Sequence, residues 1–193
     1  MDSRSILENY VTESTKAIGS IANQFDKIIE LVRAIVEVLS NGGCIFWVGN
    51  GGSAAEAQHL SAELVGRFEI NRKPLKSLAI TTDTSVLTAI GNDFGFEEVF
   101  KRQIEALVSK RDLVVFISTS GKSLNIIEGL RQARKVGCKT AALTGRYPLD
   151  CDYSIEIDSP RTCHIQEGHL VVGQLICSLI EIEIGKKSSD YNK

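Results

Sequence analysis

The sequence predicts an α/β fold: a three-layer sandwich in which a five-stranded parallel sheet is flanked by helices. Short apolar runs typical of buried parallel strands alternate along the chain with longer segments of helical periodicity. Five such runs occur: CIFWVG (44–49), LKSLAI (75–80), LVVFIS (113–118), TAALTG (140–145) and YSIEID (153–158). With 193 residues and no linker or repeat, the chain is expected to form one domain, residues 1–193.

Helical periodicity fills most of the chain outside these runs. The N-terminal segment, about 3–40, carries apolar residues at helical spacing and ends at Asn41-Gly42-Gly43, a strong stop signal. Further helices are expected over 54–68, 82–90, 96–107, 122–136 and 165–184, with Gly91-Asn92-Asp93 as a loop and a polar tail over about 185–193. In parallel sheets of this kind, ligands bind at the C-terminal ends of the strands.

Composition and charge narrow the classes of function. The 22 basic and 24 acidic residues give a net charge of −2, which argues against a nucleic-acid coat or a polybasic membrane patch. Five cysteines without a CxxC pair indicate reduced thiols. The N-terminus is too polar for a signal peptide, and no apolar run approaches the ~20 residues of a membrane span. We therefore expect a cytoplasmic protein that binds neither nucleic acid nor membrane.

A hydroxyl-rich loop follows the third apolar run. Ser118-Thr119-Ser120-Gly121-Lys122-Ser123 leads into a helix, whose N-terminus offers free N–H groups and a positive dipole end. Hydroxyl groups add further donors for a phosphate, although a single serine there would be explained as a helix cap. The GxxxxGK[ST] pattern is absent, so the sequence predicts a phosphate site without a nucleotide cofactor.

A second, glycine-rich loop follows the first apolar run. Gly49-Asn50-Gly51-Gly52-Ser53 allows a tight turn and a close backbone approach to a ligand. On the helix after it, His59 and Glu63 are four residues apart and share one face. That pair suits acid–base chemistry or a metal, and it equally fits a solvated helix face.

The last helix opens with polar residues in an otherwise apolar segment. Gln166 and Gln174 lie on roughly one stripe, and Gln174 is surrounded in sequence by apolar residues. A buried glutamine needs hydrogen-bond partners, so Gln174 is a candidate to line a site. His169 lies about 140° around the helix from Gln174, so the two are not expected to share a pocket.

These motifs together resemble the phosphoheptose isomerases of the sugar isomerase (SIS) family. The resemblance extends over nearly the whole chain, to Ile184, and is carried by GNGGSAAEAQHLSAELVGRF, TTDTSVLTAIGNDFGFEEVF, STSGKSLNI and IQEGHLVVGQLIC. It implies a SIS domain of flavodoxin-like architecture. It also implies a homotetramer with N-terminal helices that serve oligomerisation. The implied reaction converts sedoheptulose 7-phosphate to D-glycero-D-manno-heptose 7-phosphate in the heptose biosynthesis that feeds lipopolysaccharide.

The resemblance also implies a role for particular residues. The phosphate would be held by Ser118, Thr119, Ser120 and Ser123. The sugar chain would be lined by Asn50, Gly51, Gly52, Ser53, Asn92 and Asp93. Glu63 would be the catalytic base, and Gln166 would contact the substrate. In some relatives, zinc is held by the residues matching His59, Glu63 and Gln166 together with a histidine of the last helix.

That last histidine is where this chain departs from the family pattern, because the matching residue is Gln174. An amide does not exchange protons near neutral pH, although it can hydrogen-bond. Three explanations are open: an isomerase with another proton carrier and reduced activity, a non-catalytic sugar-phosphate-binding or regulatory protein of the replication-initiator-associating type, or an engineered change. The intact loops and Glu63 favour the enzyme.

Overall fold

The computed structural model describes residues 2–190, with side chains described as far as Gly185. Its twelve main elements are α1 (Ser3–Gly19), α2 (Phe25–Ser40), β1 (Ile45–Gly49), α3 (Gly52–Val65), β2 (Ser77–Ala79), α4 (Thr84–Phe94), α5 (Val99–Leu107), β3 (Leu113–Ser118), α6 (Leu124–Val136), β4 (Lys139–Thr144), β5 (Tyr153–Glu156) and α7 (Thr162–Asp190). Short 3-10 turns at Ser20–Gln24 and Phe96–Glu98 join α1 to α2 and α4 to α5.

The sheet is fully parallel, in the order β2-β1-β3-β4-β5. Side chains alternate across it: Ile45 and Trp47 of β1 join one buried cluster, whereas Phe46 and Val48 join the other. Helices α2, α3 and α7 cover the first face, and α5 and α6 cover the second. The predicted three-layer fold is therefore confirmed.

A buried ion pair holds the end of α3 against α7. Glu181 is 2% exposed, and it accepts N–H groups from Phe68, Glu69 and Ile70 at 2.8–2.9 Å. Arg72 Nε lies 3.0 Å from Glu181 Oε1. Burial alone would raise the pKa of Glu181, but these hydrogen bonds and the guanidinium outweigh it and lower the pKa. The carboxylate is thus kept ionised and ties the segment after α3 to the last helix.

Several boundaries differ from the sequence predictions. Gly91, Asn92 and Asp93 are the last turn of α4, not a loop, because the helix ends only where Gly95 takes a φ of +98°. The strand expected over 75–80 is shorter, Ser77–Ala79. The backbone of α7 continues to Asp190, so the predicted tail is helical there, and its last part, 191–193, lies outside the described residues.

The last helix is long and apolar enough over Thr162–Gly185 to meet the length and composition of a membrane span. The sequence analysis expected no apolar stretch of that length, and by length and composition this expectation is wrong. Within the fold, Val172, Ile176, Cys177 and Ile180 are fully buried in the first core cluster. That packing accounts for the hydropathy of α7 as a core helix.

Candidate active site

The two loops singled out in the sequence meet at one edge of the sheet. Strands β1 and β3 are neighbours, with Gly49 in register with Ile117, so both loops leave the sheet at the same level. Asn50 and Asn125 then join them through two reciprocal side-chain amide hydrogen bonds, each 2.8 Å. Asn125 is buried in the first turn of α6 and was not singled out in the sequence. Its pairing across 75 residues fixes the distance between the loops.

The hydroxyl-rich loop is shaped by close backbone contacts. Gly121 has a φ of +62°, and a Cβ there would stand 2.3 Å from the carbonyl oxygen of Tyr147. Ser118 Oγ accepts the Gly121 N–H at 3.2 Å, and Ser120 Oγ accepts the Lys122 N–H at 3.2 Å. The loop is therefore a tight turn that is held by hydrogen bonds from its own backbone N–H groups to its serine hydroxyls.

Ser123 occupies the N-cap position of α6, yet its side chain makes no capping hydrogen bond. A cap serine normally satisfies one N–H of the first turn. Here, the hydroxyl and the first-turn N–H groups point to the same end of the helix, where the dipole is positive. The anion site that the sequence places in this loop stays a prediction, and the uncapped helix N-terminus is the feature that supports it.

At the end of the glycine-rich loop, a side chain of α7 approaches the first residue of α3 closely. A Cβ at Gly52 would stand 2.4 Å from Gln166 Nε2, so any larger residue would displace the glutamine. Gln166 therefore lies directly over the N-terminus of α3. This contact joins the second loop to the last helix.

A cavity of about 390 Å³ opens at this contact, and the residues that line it are Gly52, Ala55, Glu56, His59, Gln166, Glu167 and Leu170. Of the sequence-predicted site residues, only Gly52, His59 and Gln166 line it. The hydroxyl-rich loop and Glu63 do not. A larger cavity of about 670 Å³ lies between β2, α4 and α5, but none of the sequence-predicted site residues lines it. The smaller cavity is therefore the candidate active site.

Glu63 lies one turn beyond this cavity on the same helix face. Its Oε1 is 3.1 Å from His59 Nε2, which confirms that the two side chains share a face. Burial raises the pKa of the Cys177 thiol to about 12, and the charge of Glu63 adds to the rise, which places Glu63 close to α7. Arg72 Nη2 donates to the Glu63 carbonyl at 2.7 Å and fixes the helix end.

Glu56 lines the cavity but was not predicted from the sequence. It is 9% exposed, and its Oε1 is buried without a hydrogen-bond partner among the described residues. Burial raises the pKa of this carboxyl to about 8. No local pattern singles out a glutamate on a helix face, so only its burial identifies it.

Glu167 has the opposite electrostatic character in the same cavity. It accepts hydrogen bonds from the hydroxyls of Tyr10 and Ser14, and His164 Nδ1 lies 2.9 Å from it. Burial would raise its pKa, but the hydrogen bonds from Ser14, Tyr10 and His164 lower it to about 2. The ionised carboxylate thereby joins α1 to the first turn of α7, next to Gln166.

The remaining sequence-predicted residues are not gathered into the cavity of this single chain. Asn92 and Asp93 are exposed on α4, where Asn92 Nδ2 donates to Asp93 Oδ1. Gln174 is half-buried on α7, two turns beyond Gln166, and does not line the cavity. His169 is fully buried and also lies outside the cavity. Burial lowers its pKa to about 4, so the imidazole is neutral.

The donors present do not form a strong zinc site. Among residues 2–190, as far as side chains are described, no group of three or more His, Cys, Asp or Glu side chains could hold a metal ion. His59 and Glu63 supply one imidazole and one carboxylate, and Gln166 adds a neutral amide. Zinc prefers thiolate, imidazole and carboxylate donors.

Comparison with known proteins agrees with the fold. The SIS domain family model matches residues 9–145. The chain is 48% identical over 181 residues to the phosphoheptose isomerase of Solidesulfovibrio magneticus, with 91% of this chain and 88% of that protein covered. The chain therefore belongs to the SIS domain family.

Solved structures give the same result. The phosphoheptose isomerase of Neisseria gonorrhoeae matches with a TM-score of 0.86 and 37% identity, covering 93% of this chain and 99% of that one. The phosphoheptose isomerase of Francisella tularensis matches with a TM-score of 0.87 and 33% identity, covering 93% and 98%. Within the SIS family, the chain resembles the phosphoheptose isomerase branch along almost its whole length.

Replacing both Ser120 and Ser123 by alanine is expected to weaken sugar-phosphate binding. Each hydrogen bond to a charged group is worth about 1.5–3 kcal/mol, so two losses correspond to at least ~100-fold in Kd. Calorimetry with sedoheptulose 7-phosphate measures this. The exposed Ser85→Ala on α4 is the matched control and should bind normally. Unchanged affinity in the double variant would remove the phosphate assignment from this loop.

Proposed function

We propose that the chain is a phosphoheptose isomerase, an aldose–ketose isomerase that converts sedoheptulose 7-phosphate to D-glycero-D-manno-heptose 7-phosphate in heptose biosynthesis. The observation that carries the proposal is the convergence of the anion-binding loop, the glycine-rich loop and the α3 face at one edge of the sheet. The relatives at 48% and 44% identity are named phosphoheptose isomerase. Nothing in the comparisons favours the non-catalytic alternative.

The substrate lies across this edge in the proposed complex. Its phosphate binds at the N-terminus of α6, held by Ser118, Thr119, Ser120 and Ser123. Its sugar chain runs toward α3, past Asn50, Gly51, Gly52 and Ser53, and Gln166 contacts the reacting end. Asn92 and Asp93 complete the site in the proposal, and since they are exposed on α4, they are free to meet a sugar held by a neighbouring subunit.

Glu63 is the base in the proposed reaction. It takes a proton from C1 of the ketose while the C2 carbonyl oxygen gains a proton, which gives an enediol. The same carboxyl then returns its proton to C2 as the O1–H proton leaves, which gives the aldose. One carboxyl serves both carbons because the enediol exposes them on the same face. Glu63 therefore transfers the carbon-bound proton, and the contact of its carboxylate with His59 holds that carboxylate in position.

A Glu63→Gln variant is expected to lose turnover and keep substrate binding. The amide has nearly the same shape but cannot accept the carbon proton, and acid–base help of this kind is worth ~10²–10⁴-fold in kcat. Turnover of sedoheptulose 7-phosphate and calorimetric binding measure the two effects separately. Glu105→Gln, an exposed charge on α5, should behave as the unmodified protein. Normal kcat in Glu63→Gln would exclude Glu63 as the base.

Zinc is the second part of the proposal: we infer that His59, Glu63, Gln166 and Gln174 hold it weakly. Two amides in place of stronger donors lower affinity relative to a site with two imidazoles. Elemental analysis of the purified protein should find much less than one zinc per chain, and Gln174→His should raise zinc retained after dialysis. One tightly held zinc in the unmodified chain would contradict weak binding.

Assembly into a homotetramer is the third part. An apolar stripe on α1, formed by Ile6, Leu7, Tyr10 and Val11, is exposed in the single chain, with Leu7 at 66%. Burial of such a stripe against other copies favours association. Light scattering at micromolar concentration should therefore give four times the chain mass, and a Leu7→Asp/Val11→Asp variant should dissociate. A monomeric unmodified protein would contradict the proposal.

The proposed location is the cytoplasm. All five cysteines are free, as the sequence suggests, and free thiols persist in a reducing compartment. The proposed partners are a small sugar phosphate and further copies of this chain.

A further inference from the structure

Glu56, His59 and Glu63 lie at positions i, i+3 and i+7 of α3, which is one face of the helix. Glu56 is the member nearest the glycine-rich loop, and it lines the cavity beside Gln166. The assignment of Glu63 as the base leaves the role of Glu56 unexplained. It is nevertheless the most buried carboxyl that reaches the cavity.

The isomerase reaction needs two kinds of proton transfer. One group moves a proton between C1 and C2, and another must give a proton to O2 and take one from O1. Gln174 cannot do the second task, because an amide neither gains nor loses a proton near neutral pH. A group in the cavity that holds a proton at neutral pH would meet the need.

The surroundings of Glu56 favour its protonated form. Its Oε1 is buried without a partner, and an unpaired buried carboxylate is costly, so the neutral acid is the stable form. The pKa near 8 agrees with that geometry. The titratable groups that share its helix face or cavity are His59, Glu63 and Glu167, and β1, β2 and β3 contribute no charged side chain to this side.

We propose that Glu56 is a catalytic residue that carries protons between the two oxygens of the substrate; this rests on the proposed isomerase function. In the first step, the Glu56 acid gives its proton to O2 as Glu63 takes the proton from C1. In the second, the Glu56 carboxylate takes the proton from O1 as Glu63 returns its proton to C2. Both carboxyls end as they began, so protons and charge balance. Glu56 thereby supplies the proton carrier that Gln174 cannot be.

His59 is the competing candidate for this role, since it also lines the cavity. Its Nε2 faces Glu63 Oε1 at 3.1 Å, so that nitrogen is engaged with the base. Glu56 Oε1 has no such partner among the described residues, and Glu56 lines the same cavity. The geometry therefore assigns positioning of Glu63 to His59 and oxygen proton transfer to Glu56.

The test measures kcat and KM for sedoheptulose 7-phosphate across about pH 5–10 in the unmodified protein, Glu56→Gln, Glu56→Asp, His59→Gln and Glu30→Gln. The unmodified enzyme should lose kcat above about pH 8, where Glu56 gives up its proton. Glu56→Gln should lower kcat by ~10²–10⁴-fold with KM nearly unchanged. Glu56→Asp should recover part of kcat, because the carboxyl is restored. Glu30→Gln, an exposed charge on α2, should match the unmodified protein.

Each outcome decides the proposal. No turnover by the unmodified protein would refute the isomerase function itself, not the role of Glu56 within it. Turnover with normal kcat and the same alkaline limb in Glu56→Gln would overturn the proposal, as would loss of that limb in His59→Gln instead. Thermal melting separates catalysis from folding: Glu56→Gln should melt no lower than the unmodified protein. If it melts lower, kcat of Glu56→Gln is measured well below its melting temperature, and a normal kcat with the same alkaline limb there overturns the proposal.

Discussion

The parallel pairing of β1 with β3 is the constraint on which the site depends. It brings Gly49 level with Ile117, so the glycine-rich loop and the hydroxyl-rich loop leave the sheet side by side. The reciprocal amide pair of Asn50 and Asn125 then holds them at a fixed distance. The pairing thereby places the N-termini of α3 and α6 at the same edge of the sheet.

Helix α7 completes the site from the other side. Gln166 lies against Gly52, and Glu181 anchors the segment that follows α3, so α3 is held by α7 at both ends. The cavity between them contains two carboxyls in opposite states. Hydrogen bonds keep Glu167 ionised, whereas burial without a partner keeps Glu56 protonated. When two carboxyl groups have different pKa values because their environments differ, one can act as an acid while the other stays ionised.

Much of the fold can be predicted from local sequence patterns, because a buried strand or an amphipathic helix shows a characteristic spacing of apolar residues within a short stretch of sequence. The apolar runs ending at Gly49 and Ser118 predicted the strands and therefore the shared edge. The loop expected around Asn92 is instead helix, since the backbone conformation of Gly95, not the preceding glycine, ends α4.

Two site residues needed the structure. Asn125 acts through a partner 75 positions away, and no local pattern encodes that contact. Glu56 reads in sequence as an ordinary helix glutamate, and only the surrounding packing leaves its carboxyl buried and unpartnered. Gln174, by contrast, stands out in the sequence as a polar residue in an apolar segment, but its departure from the family has meaning only against the family pattern.

The central claim is that this edge of the sheet performs proton transfer between adjacent carbons of a sugar phosphate. Nuclear magnetic resonance of sedoheptulose 7-phosphate incubated with the protein in deuterium oxide tests it most directly. The account predicts formation of the aldose heptose 7-phosphate with deuterium at C2 and exchange of hydrogen at C1 of the remaining ketose. Substrate that binds but is recovered without aldose formation or deuterium at C1 would contradict it.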